Sequence, residues 1–452
     1  MVSNEELLNE IKELLEKQDY QTLTLKLVDI FPVDLAETFD ELTPDECAVL
    51  LRMMPKDLAA EVFAELSPQQ QRTIAIASTT KADLLNNIYD ELYFDDKIDF
   101  LGEMPANFVK TLLKNSTQEE RGLINQFLRY PDNSAGSLMT IEYVDLKKDM
   151  SVGQAINRIK QIGIDKETIY TCYVLDNRRK LEGIVSLKDL VLSEEDVLIK
   201  DIMDENVIMV EANEDQEKVA DLCGKYDFMA VPVVDTEKRL IGIITVDDIV
   251  DVIEQENTED FQKMAALIPE EDEYFETGVL KMSKNRIIWL LVLMISATFT
   301  GNIISRYEKL LSSAVILTAF IPMLMDSGGN AGSQSSTLII RGIALGEIKL
   351  SDWFKVVWKE LRVSLCVGIT MAIVNSFRMI LFTEASLNVT LAVSLTLLLT
   401  VVLAKLVGGI LPILAKAVKL DPAIMAGPLI TTIVDAMSLV IYFNIASNIL
   451  SL

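Results

Sequence analysis

The chain contains no histidine. Imidazole is therefore excluded as general base, as partner of a nucleophile and as metal ligand. Cysteine is scarce: Cys47, Cys172, Cys223 and Cys366 are scattered, with no C-x-x-C pair. Neither a disulfide framework nor a thiolate zinc site is expected. There is no P-loop (G-x-x-x-x-G-K-S/T) and no nucleophile elbow (G-x-S-x-G), so an enzyme is the poorest reading. Bases are few beside acids, 41 against 68, for a net charge of −27. That speaks against a nucleic-acid partner, which needs a basic surface along its phosphates; it favours cations. The opening "MVSNEELLNEIKELLEK" is acidic and amphipathic, not a signal peptide, so the N-terminal part is expected to stay in the cytosol.

Half the residues are nevertheless apolar, and 452 residues are too many for one core. The two characters occupy different halves. Residues 1–285 hold 60 acids against 29 bases, a charge of −31; the remainder holds 8 against 12. An acidic soluble part gives way near Arg286 to an apolar part.

Residues 1–135 read as helix throughout. Pro32, Pro44, Pro55 and Pro68 each precede an amphipathic run such as "FPVDLAETFDEL", and proline suits the first turn of a helix. Stacked helical hairpins of this kind make a superhelical domain. Residues 136–253 contain a repeat: "CYVLDNRRKLEGIVSLKDLVL" (172–192) against "VPVVDTEKRLIGIITVDDIVD" (231–251). Each predicts a strand, an Asp-led turn, a strand ending in Gly-Ile, and a helix opening Ser/Thr-x-x-Asp. "SLMT" (137–140) and "DIMD" (201–204) lead into the two copies. The pattern resembles a tandem pair of CBS domains, α/β sensor modules that commonly bind adenine nucleotides or ions. Residues 254–285 form a charged connection, with Pro269 expected to interrupt its helix.

Apolar stretches near 286–304, 312–340, 356–382, 389–415 and 422–450 each reach the ~20 residues needed to cross a bilayer, predicting five transmembrane helices in a cell membrane. The 341–362 connection carries Arg341, Lys349, Lys355, Lys359 and Arg362, and the 416–420 connection carries Lys416 and Lys419. The 383–388 connection holds Glu384 and no base. The positive-inside rule then places the N-terminus in the cytosol and the C-terminus outside; Arg306 and Lys309 in the 305–311 loop run against it.

Two of these stretches are unusually polar. "PMLMDSGGNAGSQSSTLIIRG" (322–342) holds Asp326, Asn330, Gln334 and several Ser, with Gly328, Gly329 and Gly332 admitting close approach. "LDPAIMAGPLITTIVDAMSLVIYF" (420–443) carries a Gly427-Pro428 break, Thr431, Thr432 and Asp435, the last near mid-membrane depth. Polar groups there are costly unless they face protein or water, so these segments read as walls of an aqueous path. Asp435, Thr431 and Gly427 recur at one helical turn and so share a face. Its donors are all oxygen, which suits Mg2+ or Ca2+ better than Zn2+ or Cu2+; a single carboxylate fits Mg2+ that keeps most of its waters. The competing readings are a transporter for Mn2+ or Co2+ and a nucleotide receptor that uses its membrane part only as an anchor.

The pair "P…DSGGNAGSQSS" and "DP…GPLITTIVD", with the preceding domains, resembles the MgtE family of magnesium channels and transporters over essentially the full length. The resemblance implies a multi-domain protein: an all-α superhelical N domain (1–135), a tandem CBS pair (136–253), a connecting plug helix (254–285) and a five-helix pore domain in membrane lipid (286–452), assembled as a homodimer. It implies Asp435 as the carboxylate holding hydrated Mg2+, with Gly427 and Thr431 close by; Asn330 and Asp326 join the path on the polarity of their own segment. It further implies regulatory Mg2+ on the cytosolic domains, with Asp248, Asp251, Glu256, Glu259 and Asp260 as candidates, joined by Asp95 and Asp96 from the N domain. ATP is the nucleotide the CBS pair is expected to admit. Mg2+ would bridge acidic faces that otherwise repel and so close the pore.

Overall fold

In a computed structural model the described residues are 4–77, 82–113, 116–270, 274–275, 277–383 and 385–451. Glu384, expected in an outer loop, lies outside them. The chain divides into two compact units, Met1–Glu254 and Gln255–Leu452.

The first unit opens with helices at Asn4–Glu16 and Tyr20–Leu27, followed by short helices whose starts follow the prolines: Pro32–Thr38, Pro44–Met53, Lys56–Ala64 and Pro68–Ala77. Thr43 shows why they start there. Its N–H donates to the Glu46 carboxylate at 2.8 Å and its hydroxyl accepts from the Glu46 N–H, a reciprocal cap on either side of Pro44. The apolar faces meet in a core around Leu35, Leu50, Phe63 and Ile88, with Phe63 edge-on to Phe100 at 5.2 Å. Phe100 belongs to α1 (Phe94–Glu103).

The repeat then folds as two three-stranded sheets of the same order. The first has β1 (Val144–Leu146) parallel to β2 (Thr171–Leu175), which is antiparallel to β3 (Leu181–Ser186). The second has β4 (Val210–Glu211), β5 (Ala230–Val234) and β6 (Leu240–Thr245) in the same relation. The Asp-led turns form as expected: Asp176 accepts from the N–H groups of Arg178 and Lys180, and Asp235 from those of Glu237 and Arg239. The two copies exchange their lead-in segments. Thr140 pairs with Ile243 of β6, and Asp204 pairs with Ile184 of β3. Gly242 permits the first exchange, since a Cβ there would meet Thr140 O at 2.8 Å.

Helix α2 (Val246–Met264) follows β6 and carries the boundary between the units. The second unit then contains α3 (Val279–Arg306), α4 (Ile321–Ala344), α5 (Trp353–Phe382), α6 (Leu387–Ala417) and α7 (Gly427–Leu450). Among the described residues four helical segments are long and apolar enough to cross a membrane: Val279–Arg306, Leu350–Phe382, Leu387–Ala417 and Pro422–Leu450. The 312–340 stretch is not one helix. A turn of helix at Glu308–Ser313 and a 3-10 turn at Val315–Phe320 precede α4, whose 24 residues include the polar run. Helix α4 packs on α6 and α7, and α5 packs on α6. Gly332 and Gly408 let the α4 and α6 backbones touch, for a Cβ on Gly408 would overlap the Gly332 carbonyl. None of α3 is buried.

Candidate ion path and acidic clusters

The small residues of α4 face α7. A Cβ on Gly328 would meet Thr400, Val434 and Ser438, and one on Gly329 would lie 3.3 Å from the Thr431 Cβ. Asp435 is half-buried on α7, one turn beyond Thr431, and the Asp326 carboxylate of α4 lies within its electrostatic reach. Asn330 and Asp326 are exposed on the α4 surface, whereas Gly328, Gly329 and Gly332 are buried. The structure thus sets Gly329 against Thr431 and leaves Asp326 within electrostatic reach of Asp435.

The Gly427-Pro428 pair does not interrupt a helix, as the sequence suggested, but starts one. Gly427 has φ +38°, the left-handed region open to glycine, and Pro428 occupies the first turn of α7, where a missing N–H costs nothing. The hydroxyls of Thr431 and Thr432 both donate to the Pro428 carbonyl at 2.9 Å, so each offers its oxygen, not its proton, to anything beyond. A Cβ on Gly427 would lie 2.8 Å from the carbonyl of Met264, the last residue of α2. The connecting helix therefore ends against the start of α7.

The candidate regulatory acids fall into two groups. In the first unit Asp95 and Asp96 of α1 face Asp248, with Asp99 and Glu167 beside them. Burial, then mutual repulsion, pushes Asp96 and Glu167 up to about 7 and Asp99 up to about 6, and Asp95 well above the usual carboxylate range. Burial, with Asp247 and Asp251 adding repulsion, raises Asp248 to about 6, although the Thr245 hydroxyl and N–H favour its charged form. Glu167 Oε2 is buried without a hydrogen-bond partner. Glu142 accepts from the Phe94 N–H at 3.1 Å, placing its charge at the N-terminus of α1. Burial, and then the charge of Asp251, also raises Glu65, which in turn acts on Asp96.

In the second unit Asp260 faces Asp421, with Glu256 and Glu259 near it; burial and then Asp421 raise it to about 6. Lys263 lies 2.5 Å from Glu259 Oε1 and 2.6 Å from Asp421 Oδ2. Its burial disfavours the ammonium, but the two carboxylates outweigh that and hold its pKa above the usual lysine value. Among the described residues no three acids converge closely enough to form a closed metal cage.

Sequence reasoning missed several members. Asp99 lies one turn along α1 from Asp95 and Asp96, so helical spacing could have found it. Glu167, Asp421 and Lys263 carry no local signal, because tertiary packing brings them in. Glu360 and Lys405, buried in the second unit, were read only as parts of apolar runs.

The domain order agrees with three family models. The MgtE divalent cation transporter model matches residues 321–445, the MgtE intracellular N domain model residues 30–133, and the CBS domain model residues 135–195 and 199–255. The chain is 37% identical over 454 residues to the magnesium transporter MgtE of Thermus thermophilus, covering 99% of each. The chain belongs to the MgtE family. It is also 33% identical to the magnesium transporter MgtE of Bacillus subtilis, over 92% of this chain and 91% of that one. Two solved structures are similar to about half of the chain. One is the cytosolic domain of the Mg2+ channel MgtE in complex with ATP (37% identity, TM-score 0.51, covering 54% of this chain and 99% of that one). The other is the soluble part of a magnesium transporter (31% identity, TM-score 0.53, 56% and 99%). Membership in MgtE makes this a transporter, not an enzyme, with CBS domains and membrane-spanning helices.

Proposed function

We propose that this MgtE protein conducts Mg2+ into the cytosol along a path walled by α4 and α7, and that high cytosolic Mg2+ closes it. The observation that carries the reading is the close Gly329–Thr431 contact, which sets the polar run of α4 against the α7 turn that precedes Asp435, with Asp326 within electrostatic reach of Asp435. Carboxylates, hydroxyls and carbonyls are the hard donors that suit a cation still carrying water. In this reading Asp435 holds the ion; Thr431 and Gly427 line its route from one helix, and Asn330 and Asp326 from the other. Helix α4 is the second of five crossings in this reading, tolerated in lipid because its polar face lines water and protein. The N-terminus is cytosolic, and two copies related by a twofold axis bring two Asp435 carboxylates together.

Gating rests on the acidic groups. Asp95, Asp96 and Asp248 repel one another in a partly dry site, as do Asp260 and Asp421, with Glu256 and Glu259 near them. Mg2+ relieves that repulsion only in the compact arrangement. The closed state then binds Mg2+ more tightly than the open one, which is what a shift of population requires. Asp251 contributes to the same field. Because α2 ends against Gly427, a movement of that helix reaches the start of α7 directly. In this reading the CBS pair binds ATP; the similar cytosolic domain of the Mg2+ channel MgtE is in complex with ATP, which supports it. A path for Mn2+ or Co2+ is the rival, and the chain offers it no imidazole.

The test is a patch recording of the reconstituted protein with Mg2+ varied on the side of the soluble domains. The reading expects currents that fall as Mg2+ rises through the millimolar range, and that persist when K+ of equal ionic strength replaces it. Equal suppression by both salts would leave only screening and overturn the gating proposal.

A further inference from the structure

Among the described residues of the second unit, the most buried acid and the most buried base belong to none of the residues assigned to the path. Glu360 of α5 is 8% exposed, Lys405 of α6 5% and Ser335 of α4 1%. The Ser335 hydroxyl donates to Glu360 Oε2 at 2.5 Å, and Lys405 Nζ donates to the same hydroxyl oxygen at 3.4 Å. One serine, using its proton for the carboxylate and a lone pair for the ammonium, bridges opposite charges on two other helices. Gly409 provides the room: a Cβ there would lie 3.2 Å from Glu360 Cγ. A carboxylate and an ammonium at this depth are costly singly and are retained where they neutralise each other.

The bridge sits where α4 is otherwise held. Ser336, the next residue, donates to the Met425 carbonyl at 3.4 Å, two residues before α7 begins at Gly427. Gly332, one turn back, lies on the α6 backbone at Gly408. These contacts set the rotation of α4 about its own axis. At 100° per residue, a slip of one position would carry Gly329 away from Thr431 and Asp326 away from Asp435.

We propose that Glu360 and Lys405, joined through Ser335, are a positioning pair that fixes the rotational register of α4 and so determines which of its residues line the ion path. The proposal rests on the reading of α4 and α7 as that path. It differs from it in that neither charge touches the ion.

The experiment uses the full-length protein in liposomes and compares Glu360→Gln, Lys405→Met, Ser335→Ala and the double Glu360→Gln/Lys405→Met. Two readouts are taken: the ratio of Mg2+ to Mn2+ flux, which does not depend on how much protein folds, and disulfide formation between Gly329→Cys and Thr431→Cys in a Cys366→Ser background. The second reports register whatever the pore conducts. Each single neutralisation leaves one charge uncompensated and is expected to cut Mg2+ flux about tenfold or more, with a lowered Mg2+ to Mn2+ ratio and a slowed cross-link. Ser335→Ala is expected to shift both readouts the same way by less. The double variant is expected to return the ratio and the cross-link to within about threefold of wild type, because removing both charges together avoids the uncompensated one. If single variants fail to insert, the double variant and Ser335→Ala still decide. Singles with unchanged ratio and cross-link, or a double variant no better than the worse single, would overturn the pairing. Should Asp435→Asn retain full flux while the cross-link follows the expected pattern, the register proposal stands and the path assignment falls.

Discussion

Lys263 Nζ lies 2.6 Å from Asp421 Oδ2, tying the last turn of α2 to the segment that leads into α7. With Glu259 on the other side, this lysine is the resident counter-ion of the acids around Asp260. It holds together, without any divalent ion, part of what Mg2+ is proposed to hold. Lys263→Met should therefore favour the open state in Mg2+-free solution, raising the open-to-closed ratio roughly fivefold, the equivalent of about 1 kcal/mol for a partly exposed pair. Added Mg2+ should still close the channel. Single-channel recording at zero Mg2+ checks this, and an unchanged open fraction would show the lysine to be a bystander.

Asp96→Asn with Asp248→Asn removes two of the mutually repelling acids of the first unit. The Mg2+ concentration for half-closing should rise on the order of tenfold, the size of an ordinary coupling energy between sites. The same double variant should melt higher than wild type in Mg2+-free buffer, since the repulsion it removes opposes folding. Thermal melting with and without Mg2+ separates the two effects.

The same group predicts a pH dependence. Asp96 and Glu167 titrate near 7 and Asp99 and Asp248 near 6 in the folded protein, above their ordinary values, because burial and then like charges disfavour ionisation. A folded-state pKa above the unfolded one means that the folded protein binds the extra protons. The stabilisation is complete below pH ~4, where the unfolded groups are also protonated, and is lost as pH rises through 6–7. In Mg2+-free buffer the melting temperature should consequently fall by roughly 5 °C between pH 5 and pH 8. Mg2+ should restore most of that loss at pH 8 and do little at pH 5, where protons already occupy the acids. A melting temperature that rises with pH in the absence of Mg2+ would contradict the arrangement.

Gly408→Val places a branched side chain where the Gly332 carbonyl already lies. The α4–α6 crossing must then open, at a cost of roughly 1–3 kcal/mol. The variant should melt several degrees lower and pass Mg2+ less selectively. Gly224→Ala, at a position with open space around it, is the control that should leave both unchanged.

Much of this fold could be read in the sequence because its signals are local. The prolines mark helix starts, as Thr43-Pro44-Asp45-Glu46 shows, and the CBS pattern is written twice with the same Asp-led turn. The polar run of α4 was visible for the same reason, since an acid and paired glycines do not belong among lipid tails. Three things were not visible. Gly427-Pro428 looks the same in sequence whether it breaks a helix or begins one; the left-handed φ of Gly427 and the turn at Pro422–Met425 decide for a beginning. The partners of Asp96 and Asp260 come from distant elements, so Glu167 and Asp421 could not be found by spacing. Glu360 and Lys405 each sit alone in a long apolar helix, and only the packing of α4, α5 and α6 shows that Ser335 joins them.

The central claim is that Asp435 binds the permeating Mg2+. Mg2+ flux into liposomes, wild type against Asp435→Asn with Mn2+ and Ca2+ as competitors, tests it most directly. The account predicts that wild type prefers Mg2+ and that the variant, inserted and folded, falls to background. Full Mg2+ flux through Asp435→Asn, or a wild type that prefers Mn2+, would contradict it.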